Sequence, residues 1–182
     1  MQREILNNTL DQVEQVLSEL HNLPEQTANS LYKESRCGAH IRHILDHWDA
    51  VLTALKSASS LIDYDKRNRL SVIEHDRFAC ADKIQTIKSD IIRMDVSYDA
   101  KVSIKSEFNT ESQQSKHFDS SLEREWLYVI NHTIHHLAHI RLILLSNNVE
   151  LPAYIGIAPS TRSYLRQTEP QASTIAEKPV PA

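Results

Sequence analysis

The sequence has only two glycines and two cysteines, 6% aromatic residues and no long apolar run. Sandwiches, small barrels and phosphate-cradling loops need residues that tolerate positive φ at several turns, so two glycines argue against all of them. Cys37 and Cys80 do not make a disulfide framework, and with no Cys-x-x-Cys pair there is no zinc ribbon or dithiol redox site. A metal site in this chain must therefore draw on nitrogen and oxygen ligands. No stretch approaches the roughly 18 apolar residues of a membrane span, and Met1 to Asn8 carry charge and amide groups where a signal peptide needs an apolar segment. These absences predict a cytoplasmic protein without a membrane partner. Twenty basic residues against 24 acidic ones, a net charge of −4, leave no basic stripe of the kind that phosphate-backbone binding requires. Nucleic acid is accordingly an unexpected partner, and a small-molecule substrate the expected one.

What is present reads as helix. Ile5, Leu10, Val13, Val16, Leu17 and Leu20 recur at helical spacing between Glu4 and Leu23, ahead of Pro24. A second amphipathic helix is predicted from about Gly38 to Ser57, with Ile41, Ile44, Leu45, Trp48, Val51, Leu52 and Leu55 on one side. A third is predicted from about Leu70 to Met94, where Ile73, Phe78, Ala81, Ile84, Ile87 and Ile91 recur. The period changes between Ser97 and Phe108, predicting a short extended segment or hairpin within the long connection between helices three and four. The fourth helix, about Ser120 to Ser146, opens on an Asp119-Ser120-Ser121 cluster suited to an N-cap. Pro159 suits the first position of a short terminal helix. From Gln167 onward there is little to bury, so residues 1–166 are expected to form one domain and 167–182 a disordered tail. The predicted fold class is all-α, a four-helix bundle.

Ten histidines are the compositional surplus. With about 100° per residue and His132 at zero, His136 falls near +40°, His139 near −20° and Glu125 near +20°, with His135 at the edge near −60°. On the second helix, His43 at zero places His47 near +40° and His40 near +60°. Seven histidines thus occupy two narrow helical faces. The pairs His132/His136, His135/His139 and His43/His47 each have the i,i+4 spacing that lets two imidazoles reach one cation. A divalent ion is satisfied by three neutral imidazoles with the fourth position left to water or substrate. Two ligands from the fourth helix and one from the second would supply them, with Glu125 as an orienting group or general base. His21, His75 and His117 fall outside these faces and read as surface residues, and Cys37, Cys80, Trp48 and Trp126 as core.

The segment Cys37-Gly38-Ala39-His40-Ile41-Arg42-His43-Ile44-Leu45-Asp46-His47 resembles the second-helix motif of the DinB/YfiT-like family. Glu123 to Ile140 resembles its His-x-x-x-His helix, and Leu151 to Thr161 the tail of one branch. The resemblance implies a four-helix bundle, often dimeric, holding zinc or nickel through His43, His132 and His136, with His40 as the competitor to His43. It further implies a low-molecular-weight-thiol S-transferase in which the metal stabilises a bound thiolate of the co-substrate. The alternatives are a metal-dependent hydrolase, a non-catalytic metal-binding stress-response or interaction protein, and a bundle whose histidines are merely solvated.

Overall fold

The computed structural model describes residues 3–57, 59–68 and 71–168. Four long helices carry the core: α1 (Arg3–His21), α3 (Cys37–Lys56), α4 (Arg77–Arg93) and α5 (Leu122–Leu145). They pack cyclically, α1 on α4, α4 on α3, α3 on α5 and α5 on α1. Each turns one apolar stripe inward, and Leu6, Leu10, Val13 and Leu17 of α1 meet Ile41, Leu45 and Trp48 of α3, Ile84 and Ile87 of α4, and Trp126, Val129 and Leu137 of α5 in a single core. A short α2 (Glu25–Asn29) runs into a widened π-type turn, Ser30–Glu34, where the connector had no legible period. A terminal α6 (Pro159–Thr168) begins at the proline, as the sequence indicates.

The all-α reading is overturned by a three-stranded sheet. Its strands are β1 (Leu61–Asp63), β2 (Lys101–Glu107) and β3 (Ser115–Ser121), in that spatial order. β1 pairs with β2 in parallel, Ile62 opposite Ile104, and β2 pairs with β3 antiparallel, Ile104 opposite Phe118. A parallel pair needs a crossover, and α4 supplies it. β2 lies inside the stretch whose period changes from helical to alternating. β1 and β3 leave no legible alternation in the sequence, because one has three residues and the other, Ser-Lys-His-Phe-Asp-Ser-Ser, is almost wholly exposed. Chain and register are tied by Asp65, which accepts from the Glu107 amide at 2.6 Å and from Ser115 Oγ at 2.6 Å.

Helix boundaries follow their caps. α5 starts at Leu122 because Ser121 Oγ accepts from the Arg124 amide, and α4 starts at Arg77 because Asp76 accepts from the Phe78 and Ala79 amides. The third helix is therefore shorter than its apolar pattern predicts: Val72–Glu74 form a separate 3₁₀ turn, and Phe78 is 65% exposed, stacked on His21, while Cys80 takes the inward place. The two glycines sit at close approaches. A Cβ on Gly38 would lie 2.3 Å from the Glu74 carbonyl, and Gly156, at φ 70°, passes so near α5 that a Cβ would meet the Ala138 amide nitrogen at 2.5 Å. Among the described residues no helix is long and apolar enough to cross a membrane. Gln167 and Thr168, the first two residues of the expected tail, close α6, and the rest of that tail lies outside the described residues.

Candidate metal centre

α3 and α5 are the most extensively packed pair of long helices, and their polar faces meet along one line. Trp48 anchors the junction from below: its indole N–H donates to Thr133 Oγ1 at 3.0 Å, both groups being buried. The histidines line this seam. The ring nitrogens of His43, His47 and His132 come together so that one ligand atom from each lies within 4.8 Å of the others. His43 Nε2 is 3.1 Å from His132 Nε2, and the His47 and His132 ring centroids are 4.1 Å apart. His136 follows, its ring centroid 4.7 Å from His43 and 4.5 Å from His132. Beyond it His40 Nδ1 faces His136 Nδ1 at 3.0 Å, and at the exposed end His135 and His139 stand with their Nε2 atoms 3.2 Å apart. All seven histidines projected onto the two faces thus form one continuous row, and His21, His75 and His117 are exposed elsewhere.

The buried end of this row is built to hold neutral imidazoles. Burial, followed by the charges of neighbouring histidines, pushes the pKa of His43 and of His132 down to about 4, that of His136 to about 3 and that of His47 to about 2. Burial lowers His40 as well. A neutral imidazole has a free lone pair, which is the form a metal requires. His43 Nδ1 and His47 Nδ1 are buried with no hydrogen-bond partner among the described residues. Buried ring nitrogens are ordinarily paired, so the set is chemically suited to a cation of intermediate softness.

Two aromatic walls flank the site. Tyr64, just after β1, stacks on His47 with centroids 5.0 Å apart, and Tyr128, one turn before His132 on α5, stacks on His132 at 5.5 Å. A cavity of about 150 Å³ opens at this point, lined by His43, His47 and His132 and by Tyr64, Arg67 and Tyr128, with Glu107 of the hairpin at its rim. The β1 loop is held above it by α3: Arg42 bonds Asp46 at 2.7 Å and Glu74 at 3.0 Å, and Asp46 accepts from the Asn68 amide. Next to it lies a groove of about 400 Å³ that shares Tyr64 and Tyr128 and is walled by Ile104, Phe108, Phe118 and Arg124.

Glu125 does not enter the cavity. It is fully buried, accepting from Tyr64 Oη at 2.8 Å and from Ser120 Oγ, and pairing with Arg124 at 2.9 Å. It reaches the histidines only by holding the tyrosine that stacks on His47. Helical projection puts Glu125 on the His132 face, but β3 and the segment after β1 cover it, a contact that spacing within one helix does not encode. None of Tyr64, Arg67, Glu107 and Tyr128 is among the site residues the sequence indicates; Tyr128, four residues before His132, is the one whose helical spacing carries a signal for it.

No known family's model matches the chain, and no solved structure does. A curated protein similar to it is FK506-binding protein 5 of Rhizopus delemar, 30% identical over 109 residues, which cover 59% of this chain and 28% of that protein. The chain thus matches little more than a quarter of its relative's length. The similarity lies with a protein carrying an FK506-binding name, and this, with the sheet, overturns the DinB/YfiT-like resemblance and the purely helical bundle it implied. The transferase chemistry rested on that resemblance alone and is set aside with it.

Proposed function

We propose that this chain binds a divalent metal ion of the zinc or nickel type through His43, His47 and His132, and that the site hydrolyses a small-molecule substrate. The observation that carries the reading is the convergence of three ligand atoms within 4.8 Å beside a cavity. An ion held there by three neutral ligands would act as a Lewis acid and lower the pKa of a water in the fourth position. The chain's own groups do the rest. Tyr64 and Tyr128 brace the rings of His47 and His132, Glu125 fixes Tyr64, and burial keeps the imidazoles unprotonated. Arg67 brings a positive charge to the cavity, and the adjoining aromatic groove offers room for an organic substituent. His136, named by sequence as the third ligand, stands next to His43 and His132 but also faces His40, whereas His47 closes the compact set. Both cysteines are free and buried, which fits a reducing compartment and supports a cytoplasmic assignment.

Zinc-loaded full-length chain should accelerate hydrolysis of 4-nitrophenyl acetate, and the His43→Ala, His132→Ala double variant should lose both this and zinc at that site. Unchanged zinc content in the variant would overturn the centre. Zinc binding without turnover would overturn the hydrolytic part and leave the second reading, a non-catalytic metal-binding module. That reading is favoured by the similarity to 28% of a much longer protein.

A further inference from the structure

A groove of about 510 Å³ runs between α1, α5 and α6, and none of its lining residues belongs to the histidine row or its walls. Its base is aliphatic. Ile130 and Ile134, one turn apart on α5, are nearly buried, and Ile5 of α1 and Ile157 of the connection before α6 add to them. One wall is α6, which turns Pro159, Arg162, Ser163 and Arg166 to the groove, residues spaced by three and four on a single helical face. Arg162 lies over the Tyr154 ring at 5.6 Å, and Arg166 donates to Ser163 Oγ at 2.9 Å, so both guanidinium groups are placed by neutral partners. No carboxylate lines the groove, and among the described residues neither arginine makes an ion pair. In a chain of net charge −4, two unopposed arginines beside an apolar surface leave a local positive charge for an anion to answer. Guanidinium groups take a carboxylate through paired N–H donors, and their stems extend the apolar wall. The volume is that of a small-molecule site. Ten residues make the α6 wall about 15 Å long, which matches an extended acyl chain of medium length. With one tyrosine against four isoleucines, the groove gives an aliphatic tail contact on most sides and an aryl ring little to stack on. No residue of α6 is buried, and a helix this short is marginal in water without packing, so an occupant would supply contacts that α6 lacks.

We propose that this groove binds an aliphatic carboxylate, its acyl chain against Ile5, Ile130, Ile134 and Ile157 and its carboxylate on Arg162 and Arg166. The site is independent of the histidine centre. Isothermal titration calorimetry of the full-length chain with dodecanoate tests it, below the micelle concentration and with chelator present so that no ion at the histidines takes the carboxylate. One equivalent is expected to bind. The Arg162→Gln, Arg166→Gln variant should bind dodecanoate about tenfold or more weakly, and the wild type should bind uncharged dodecanol as weakly, because each loses the charge-assisted hydrogen bonds. Ile5→Asp sets a carboxylate against the acyl chain and should abolish binding. Ile5, Arg162 and Arg166 are all exposed, so these variants should keep the wild-type circular dichroism spectrum. A wild type that takes up no dodecanoate would overturn the proposal, and an affinity unchanged without the two arginines would do so by putting the ligand elsewhere. Equal affinity for dodecanol and dodecanoate would overturn it by removing the carboxylate from the recognition. Sedimentation of the unliganded wild type as a dimer that Ile5→Asp dissociates would overturn it as well, since a second copy would then cover the groove.

Discussion

Acid should weaken the metal-free fold steeply through the histidine row. Below the unfolded value of about 6.5, His43 and His132 bind protons in the unfolded chain but refuse them in the native one until about pH 4. The stability they supply is therefore complete above pH 6.5 and is lost as pH falls through that window. Each such group contributes a slope of about 1.4 kcal/mol per pH unit, so two give on the order of 2–3 kcal/mol per unit, a ceiling that partial exposure of the rings reduces. His136 and His47, driven lower still, steepen the slope further. Asp46, raised by burial, titrates with the opposite sign but is common to wild type and variants. Urea unfolding in chelator at pH 7.0, 6.0 and 5.0, followed by circular dichroism, gives the slope directly. A His43→Asn, His132→Asn variant should flatten it by about two protons' worth, and a wild-type slope equal to the variant's would refute the claim that the native fold holds these rings neutral.

Further outcomes follow from the supports of the site. Thr133→Val leaves the buried Trp48 indole N–H without its acceptor and should cost about 1–3 kcal/mol, read as a lower urea midpoint with unchanged m-value. Gly156→Ala meets both a left-handed φ and the α5 backbone, and should cost more than about 2 kcal/mol in the same assay. Tyr64→Phe keeps the ring against His47 but deprives Glu125 of one donor; a loss of about 1–3 kcal/mol is expected, with weaker zinc binding by calorimetry. Zinc at a hundredfold excess over its dissociation constant should stabilise the wild type by about 2.7 kcal/mol per site, and the His43→Ala, His132→Ala variant by less.

How much of the molecule is legible in its sequence depends on period. The apolar stripes of α1, α3 and α5 repeat every three or four residues over five or more turns, so both the helices and the faces bearing the histidines can be projected from spacing alone. Projection fails where tertiary contacts, not period, decide. Val72 and Ile73 continue an apolar pattern but are cut from α4 by the Asp76 cap, and Phe78 gives up the core to Cys80. β3 is formed from polar residues held by backbone pairing to β2, a signal that no side-chain alternation carries. The consequence for the site is concrete. Spacing offers several ligand triples, and choosing among them needs the relative rotation of α3 and α5, which brings His47 beside His132 and turns His136 toward His40. Covering Glu125 needs the sheet as well.

The central claim is that His43, His47 and His132 hold one cation between them. Crystals of zinc-loaded protein, measured on either side of the zinc absorption edge, test it most directly. An anomalous peak within about 2.0–2.1 Å of one ring nitrogen from each of the three is the predicted result. Ordered imidazoles joined by N–H···N hydrogen bonds, with no anomalous scatterer between them, would contradict it.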